Sequence, residues 1–142
     1  MNTVIDHPSL DSEQEVLKLV RGESTVTEDQ LKALVEPQVV FDARLEIDKI
    51  SVSDSMLKYI VALVDATRNA GKYSNELSSY IEIGASPRGT LALEKCARVV
   101  AWFNKREHVQ PSDIHEIAHD VLRHRIALSY EANAKRITTD EI

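Results

Sequence analysis

Apolar side chains recur at helical spacing in three stretches of this sequence, and that periodicity leaves little room for anything but an all-α fold. Leu57, Ile60, Val61 and Val64 make one stripe. Leu91, Ala92, Cys96, Val99, Val100 and Phe103 make a second, and Ile114, Ile117, Ala118, Val121 and Leu122 a third. Composition agrees: aromatic residues are only 5% of the 142, and Gly and Pro number four each, so the residues that favour strands and tight turns are scarce. A small helical bundle in one domain with one core is expected.

The punctuation between the stripes sets the order of elements. Residues 1–10 read as a connector, in which Pro8 pushes His7 towards extended geometry. Asp11 with Gln14 resembles a capping box and Gly22 a stop, which predicts a first helix over 12–21 within a helical domain over 11–142. Thr27 with Gln30 offers a second start with Leu31, Leu34 and Val35 as its face, and Pro37 interrupts it. Val40, Phe41, Leu45 and Ile47 continue helically beyond. Ser53 or Asp54 caps the long helix that carries the first stripe to about Asn69. Residues 70–83, with Gly71, Asn75 and several serines, read as a loop. Ser86 is the expected N-cap and Pro87 the first residue of a helix to about Asn104, followed by a polar corner at Lys105-Arg106-Glu107. Pro111-Ser112-Asp113 open the next helix, and Arg125 to Tyr130 reads as a short extended segment. Thr138 or Thr139 looks like a cap with almost no helix behind it, which suggests a chain continuing beyond Ile142.

Within this order one residue is placed against its electrostatic preference. Arg88 falls in the first turn of its helix, facing the positive end of the macrodipole, where a cation is disfavoured by roughly 0.3 to 1 kcal/mol unless an anion compensates. Backbone N–H groups at a helix start bind anions, and a guanidinium matches phosphate geometry.

Gly84-Ala85-Ser86-Pro87-Arg88, with Leu91-Ala92-Leu93 behind it, resembles the second-sensor turn of the MoxR family of AAA+ ATPases. The similarity extends over nearly the whole chain. It includes His7-Pro8-Ser9-Leu10-Asp11 through Leu17, Val52-Ser53-Asp54 through Leu57, and Tyr59 through Val64 with Ala66-Thr67-Arg68. Val109, Pro111 and Asp113-Ile114, with Val121-Leu122-Arg123-His124-Arg125, complete it. What the resemblance implies is a C-terminal helical lid preceded by an ATPase core that joins it through the connector. Arg88 would be the catalytic sensor arginine and Ser86 and Pro87 its positioning neighbours, directed at ATP and Mg2+ held by that core. Partners implied are the core domain, neighbouring subunits of a homo-hexamer and a client protein, in the cytoplasm. No Gly-x-x-x-x-Gly-Lys-Ser/Thr loop occurs in this sequence, so the isolated domain is expected neither to hydrolyse ATP nor to hold a cofactor.

Two other classes remain open from the residues. An autonomous helical interaction module would share the same stripes. A zinc hydrolase is suggested by His115-Glu116-Ile117-Ala118-His119, a literal H-E-x-x-H, with His124 further on. The third stripe, however, leaves His115 and His119 on its flank, so no metal site is expected. A net charge of −6 and interleaved glutamates argue against nucleic acid, although Lys95, Arg98, Lys105 and Arg106 invite that reading, as Arg123-His124-Arg125 invites a phosphate. No long apolar run predicts a membrane span, and the single Cys96 lies in an apolar stripe and suits a reducing compartment. Trp102 and Phe103, adjacent on one helix, are expected to split between core and surface.

Overall fold

The computed structural model describes residues 8–23 and 35–142. Contacts divide these into one unit of residues 8–23 and 35–42 and another of residues 43–142. The expected start at Thr27 and Gln30, the face at Leu31 and Leu34, and the connector residues 1–7 lie outside the described residues.

In the first unit, helix α1 spans Leu10–Glu23 rather than 12–21. Ser9 supplies the start in place of Asp11: its Oγ accepts from the Ser12 N–H at 3.3 Å and its carbonyl from the Glu13 N–H at 2.8 Å. Asp11 instead joins Glu13 in the first turn, where acidic side chains suit the helix dipole. Gly22 falls inside the last turn, where the loss of about 1 kcal/mol relative to alanine does not stop a helix. Helix α2 runs Pro37–Ile47, starting in this unit and ending in the second, and carries the expected Val40, Phe41, Leu45 and Ile47; Pro37 takes its first position, where a proline removes an N–H that has no intrahelical partner.

The second unit carries the core. Helix α3, Asp54–Arg68, starts at Ser53, whose Oγ accepts from the Met56 N–H at 3.3 Å, and ends at Asn69. Helix α5, Pro87–Phe103, packs chiefly against helix α6, Pro111–Leu122, and also against α3. Its buried residues are Gly89, Leu93, Ala97 and Ala101, a single i, i+4 row of mostly small side chains that lets the neighbouring helices approach closely. The face is therefore centred one step away from the stripe expected from apolar residues alone, and Leu91 and Phe103 lie exposed. Ile60, Val64, Leu93, Ile114 and Val121 are fully buried. Each such aliphatic contributes about 1.5–3 kcal/mol by leaving water.

Residues 70–83 are not a plain loop. They form a 3-10 turn at Ala70–Lys72, helix α4 at Asn75–Tyr80 and strand β1 at Ile81–Ile83. Ser74 caps α4 by accepting from the Leu77 N–H at 3.3 Å, a local signal within a run too short to show periodicity. The extended segment after His124 is strand β2, Ala127–Leu128, which follows a 3-10 turn at Arg123–Arg125 and pairs antiparallel with β1, Ile81 opposite Leu128. Ser129 then caps helix α7, Tyr130–Ala134, and its Oγ donates to the Ser79 carbonyl at 2.6 Å. Thr138 opens a single turn, with its N–H and hydroxyl both donating to Glu141. The architecture is all-α with one two-stranded ribbon among the described residues.

Candidate functional site

Strand β1 delivers the chain to the turn Gly84–Arg88, and three close approaches hold that turn and the first turn of α5. First, Gly84 lies against the end of α3. A Cβ at this position would sit 2.4 Å from the Thr67 carbonyl oxygen and 2.7 Å from the Arg68 Cα, so only glycine fits. Second, the Ala85 N–H donates to Thr67 Oγ1 at 2.9 Å, while the Thr67 hydroxyl donates to the Val64 carbonyl at 2.7 Å. Ala85 itself is fully buried. Third, Gly89 in the first turn of α5 meets α6 and its extension: a Cβ there would lie 3.5 Å from both Leu122 Cδ2 and Arg125 Cδ.

Ser86 has the extended geometry of an N-cap, φ −72° and ψ 169°, and its carbonyl accepts from the Gly89 N–H at 2.8 Å. Its hydroxyl makes no capping bond, a departure from the expected cap, because Pro87 and the docked Gly84-Ala85 segment set the helix start without it. Arg88 is exposed, with no acidic residue in the first turn of α5. Among the described residues its guanidinium has no ion-pair or hydrogen-bond partner. The turn therefore presents an exposed cation from a seat tied to the end of α3. Thr67, which sequence reasoning passed over as the end of a helix, is the residue that ties the turn to α3; its signal was a threonine in a last turn, where a hydroxyl can bond back to a carbonyl.

The other charged clusters face their own neighbours. His115 Nε2 lies 2.6 Å from the Tyr59 hydroxyl, and His119 Nδ1 lies 3.6 Å from Asp140 Oδ1. The two imidazoles of the H-E-x-x-H stretch are thus exposed and turned to different partners. No group of three His, Cys, Asp or Glu among the described residues is arranged to hold a metal ion. Arg123 pairs with Asp120 at 3.2 Å and Asp140 at 3.0 Å, and Arg125 donates to the Val121 carbonyl at 2.6 Å, so both are engaged by the fold. Arg98 pairs with Glu94 on its own helix. Trp102 Nε1 donates to Glu46 Oε2 at 2.8 Å, with its ring partly in the core, while Phe103 is 72% exposed and meets Trp102 edge-on.

No helix among the described residues is long and apolar enough to cross a membrane. Residues 75–142 match the family model of the AAA lid domain. The chain is 31% identical over 137 residues to the chaperone MoxR1 of Mycobacterium tuberculosis, covering 96% of this chain and 35% of that protein. It is 33% identical over 100 residues to the protein MoxR of Methylorubrum extorquens, covering 66% of this chain and 29% of that one. A crystal structure of a candidate ATPase from Cytophaga hutchinsonii superposes with a TM-score of 0.77 at 40% identity, covering 96% of this chain and 41% of the other. The chain spans about a third of the length of the curated relatives it matches.

Proposed function

We propose that this chain is the nucleotide-sensing lid of a MoxR-type AAA+ ATPase, a reading supported by the match of residues 75–142 to the AAA lid domain and by the similarity of the chain to the MoxR proteins. In this reading the lid follows a connector over residues 1–10 and occupies 11–142, and an ATPase core domain binds ATP and Mg2+. The core supplies phosphate cradling and metal coordination, for which this chain has no motif. The lid supplies Arg88. When it closes over the nucleotide, the guanidinium reaches the β/γ-phosphate region and stabilises the charge that develops there during phosphoryl transfer. Ser86 and Pro87 set its direction.

The observation that carries this reading is the exposed Arg88, unpartnered among the described residues, on a turn held by Gly84, Ala85 and Gly89. A cation that no described residue compensates at a positive helix end suits a phosphate presented by the core domain. Coupling between subunits of a cytoplasmic homo-hexamer and action on a client protein belong to the same reading, with a change of lid angle as the signal passed on.

The test is steady-state ATP hydrolysis by the longer protein that contains this chain. Arg88→Ala should lower turnover on the order of 10-fold to 1000-fold. Arg88→Lys should recover little, since a point charge on a flexible stem does not reproduce a planar fork. Circular dichroism and a measurement of oligomer size serve as controls. Wild-type turnover in the alanine variant would refute the sensor role.

A further inference from the structure

We infer that Thr67 is a positioning residue for Arg88, acting as a hydroxyl relay that locks the Gly84–Arg88 turn to the end of α3. The inference rests on the sensor reading of Arg88 and deepens it. Thr67 Oγ1 uses both of its capacities at once: it donates to the Val64 carbonyl at 2.7 Å and accepts from the Ala85 N–H at 2.9 Å. A donor in the last turn of one helix is thereby joined to the residue that enters the next functional turn, 18 positions later. Gly84 makes this possible, because any Cβ there would collide with the Thr67 backbone and push Ala85 out of reach.

The geometry gives Thr67 a role distinct from that of a core residue. Its side chain is half-buried rather than enclosed, and the fully buried cluster of α3 is formed by Ile60 and Val64. What its hydroxyl determines is where the backbone stands at Ala85, three residues before Arg88. An arginine that must meet a phosphate from outside the chain is sensitive to that placement, since an error of about 1 Å in a positioned group can cost up to 10²-fold in rate. Val64 is fully buried in the hydrophobic core cluster, so the relay refers the turn to the packed core of the unit.

The experiment is a double-mutant cycle on ATP turnover by the longer protein containing this chain, with Thr67→Val, Thr67→Ser, Arg88→Ala and the Thr67→Val/Arg88→Ala double variant. Thr67→Val should lower kcat about tenfold with KM changed less than about twofold, and Thr67→Ser, which keeps the hydroxyl, should stay within about twofold of wild type. The double variant should turn over no more slowly than Arg88→Ala alone, because Thr67 acts through Arg88. Hydrogen exchange at the Ala85 amide should quicken in the valine variant and not in the serine variant. Thr67→Ala replaces valine if helical circular dichroism shows the valine variant unfolded. Wild-type kcat in the hydroxyl-free variant beside an impaired Arg88→Ala would overturn the relay and leave the sensor reading standing. Wild-type kcat in Arg88→Ala would overturn both. Losses that multiply in the double variant, or a serine variant as slow as valine, would overturn the claim that the hydroxyl works through Arg88.

Discussion

The Asp113 carboxylate and the Arg106 guanidinium form a two-armed ion pair across the corner between α5 and α6. Arg106 Nη1 donates to Oδ2 at 2.8 Å and Nη2 donates to Oδ1, while the Gln110 N–H donates to Oδ2 at 2.8 Å. Asp113 is 1% exposed. One carboxylate therefore closes the polar corner, satisfies a backbone donor at the start of α6 and balances a charge brought back by the chain reversal at Lys105, whose φ is 55°. Burial pushes this carboxyl up, but the Arg106 hydrogen bonds and the Gln110 N–H outweigh burial and hold it below the usual carboxylate value.

Removing the carboxylate should cost about 3 kcal/mol of stability in Asp113→Ala, at the lower end for a broken buried pair because the Arg106 side chain stays 23% exposed and water softens its loss. The sign of the pH effect follows from the lowered value. Asp113 binds fewer protons folded than unfolded, so its contribution is complete above the unfolded value of about 3.9 and fades as pH falls below it through the lower folded value. Urea titrations at pH 7, 5 and 3 should show the gap between wild type and Asp113→Asn narrowing only between pH 5 and 3. A gap already closed at pH 5 would contradict this assignment.

The two glycines flanking the candidate site should respond differently to alanine. At Gly84 the new methyl would meet backbone at 2.4 Å, and backbone at the end of α3 cannot yield cheaply, so Gly84→Ala should destabilise by about 1–3 kcal/mol or more. At Gly89 the nearest atoms, 3.3–3.5 Å away, are side-chain carbons of Ala85, Leu122 and Arg125. The alanine preference of helices offsets that crowding, and Gly89→Ala should lie within about 1 kcal/mol of wild type. Thermal unfolding of both variants decides the matter; equal losses would mean that the close approach at Gly84 is not a constraint.

The stripes of α3, α5 and α6 were legible because each runs for three turns or more, and the starts at Ser53 and Pro87 because their chemistry is local. The elements that were not legible depend on distant residues. Strand β1 exists through its pairing with β2 more than 40 positions away, and six-residue α4 is too short for a period to show. Asp113 reads in the sequence only as part of a helix start, because its pairing with Arg106 seven positions earlier depends on the corner between the two helices. At the candidate site, Arg88 and its placement could be read from Ser86-Pro87, whereas Thr67 could not, because a hydroxyl at a helix end shows nothing of the turn it will hold.

Zinc should not accompany the protein. His115 faces Tyr59 and His119 faces Asp140, so a metal bound by both would first have to displace those contacts, and no third donor completes the set among the described residues. After purification without an affinity tag, elemental analysis should find far less than one zinc per chain, with no peptidase activity. Stoichiometric zinc that disappears on His119→Ala would restore the metal reading.

Free ATP should bind this chain alone only in the millimolar range or more weakly. Arg88 offers charge-assisted hydrogen bonds worth about 1.5–3 kcal/mol, whereas a micromolar complex requires about 8 kcal/mol. The helix start adds little, because Pro87 lacks an N–H and the Gly89 N–H is already bonded to the Ser86 carbonyl. The deficit of several kcal/mol is the share that the reading of this chain as a lid assigns to a separate core domain. Isothermal titration calorimetry with ATP and Mg2+ should therefore show weak or undetectable heats, unchanged in Arg88→Ala, and phosphate release should not exceed that of a mock preparation. A micromolar constant abolished by Arg88→Ala would place a complete nucleotide site in the lid itself.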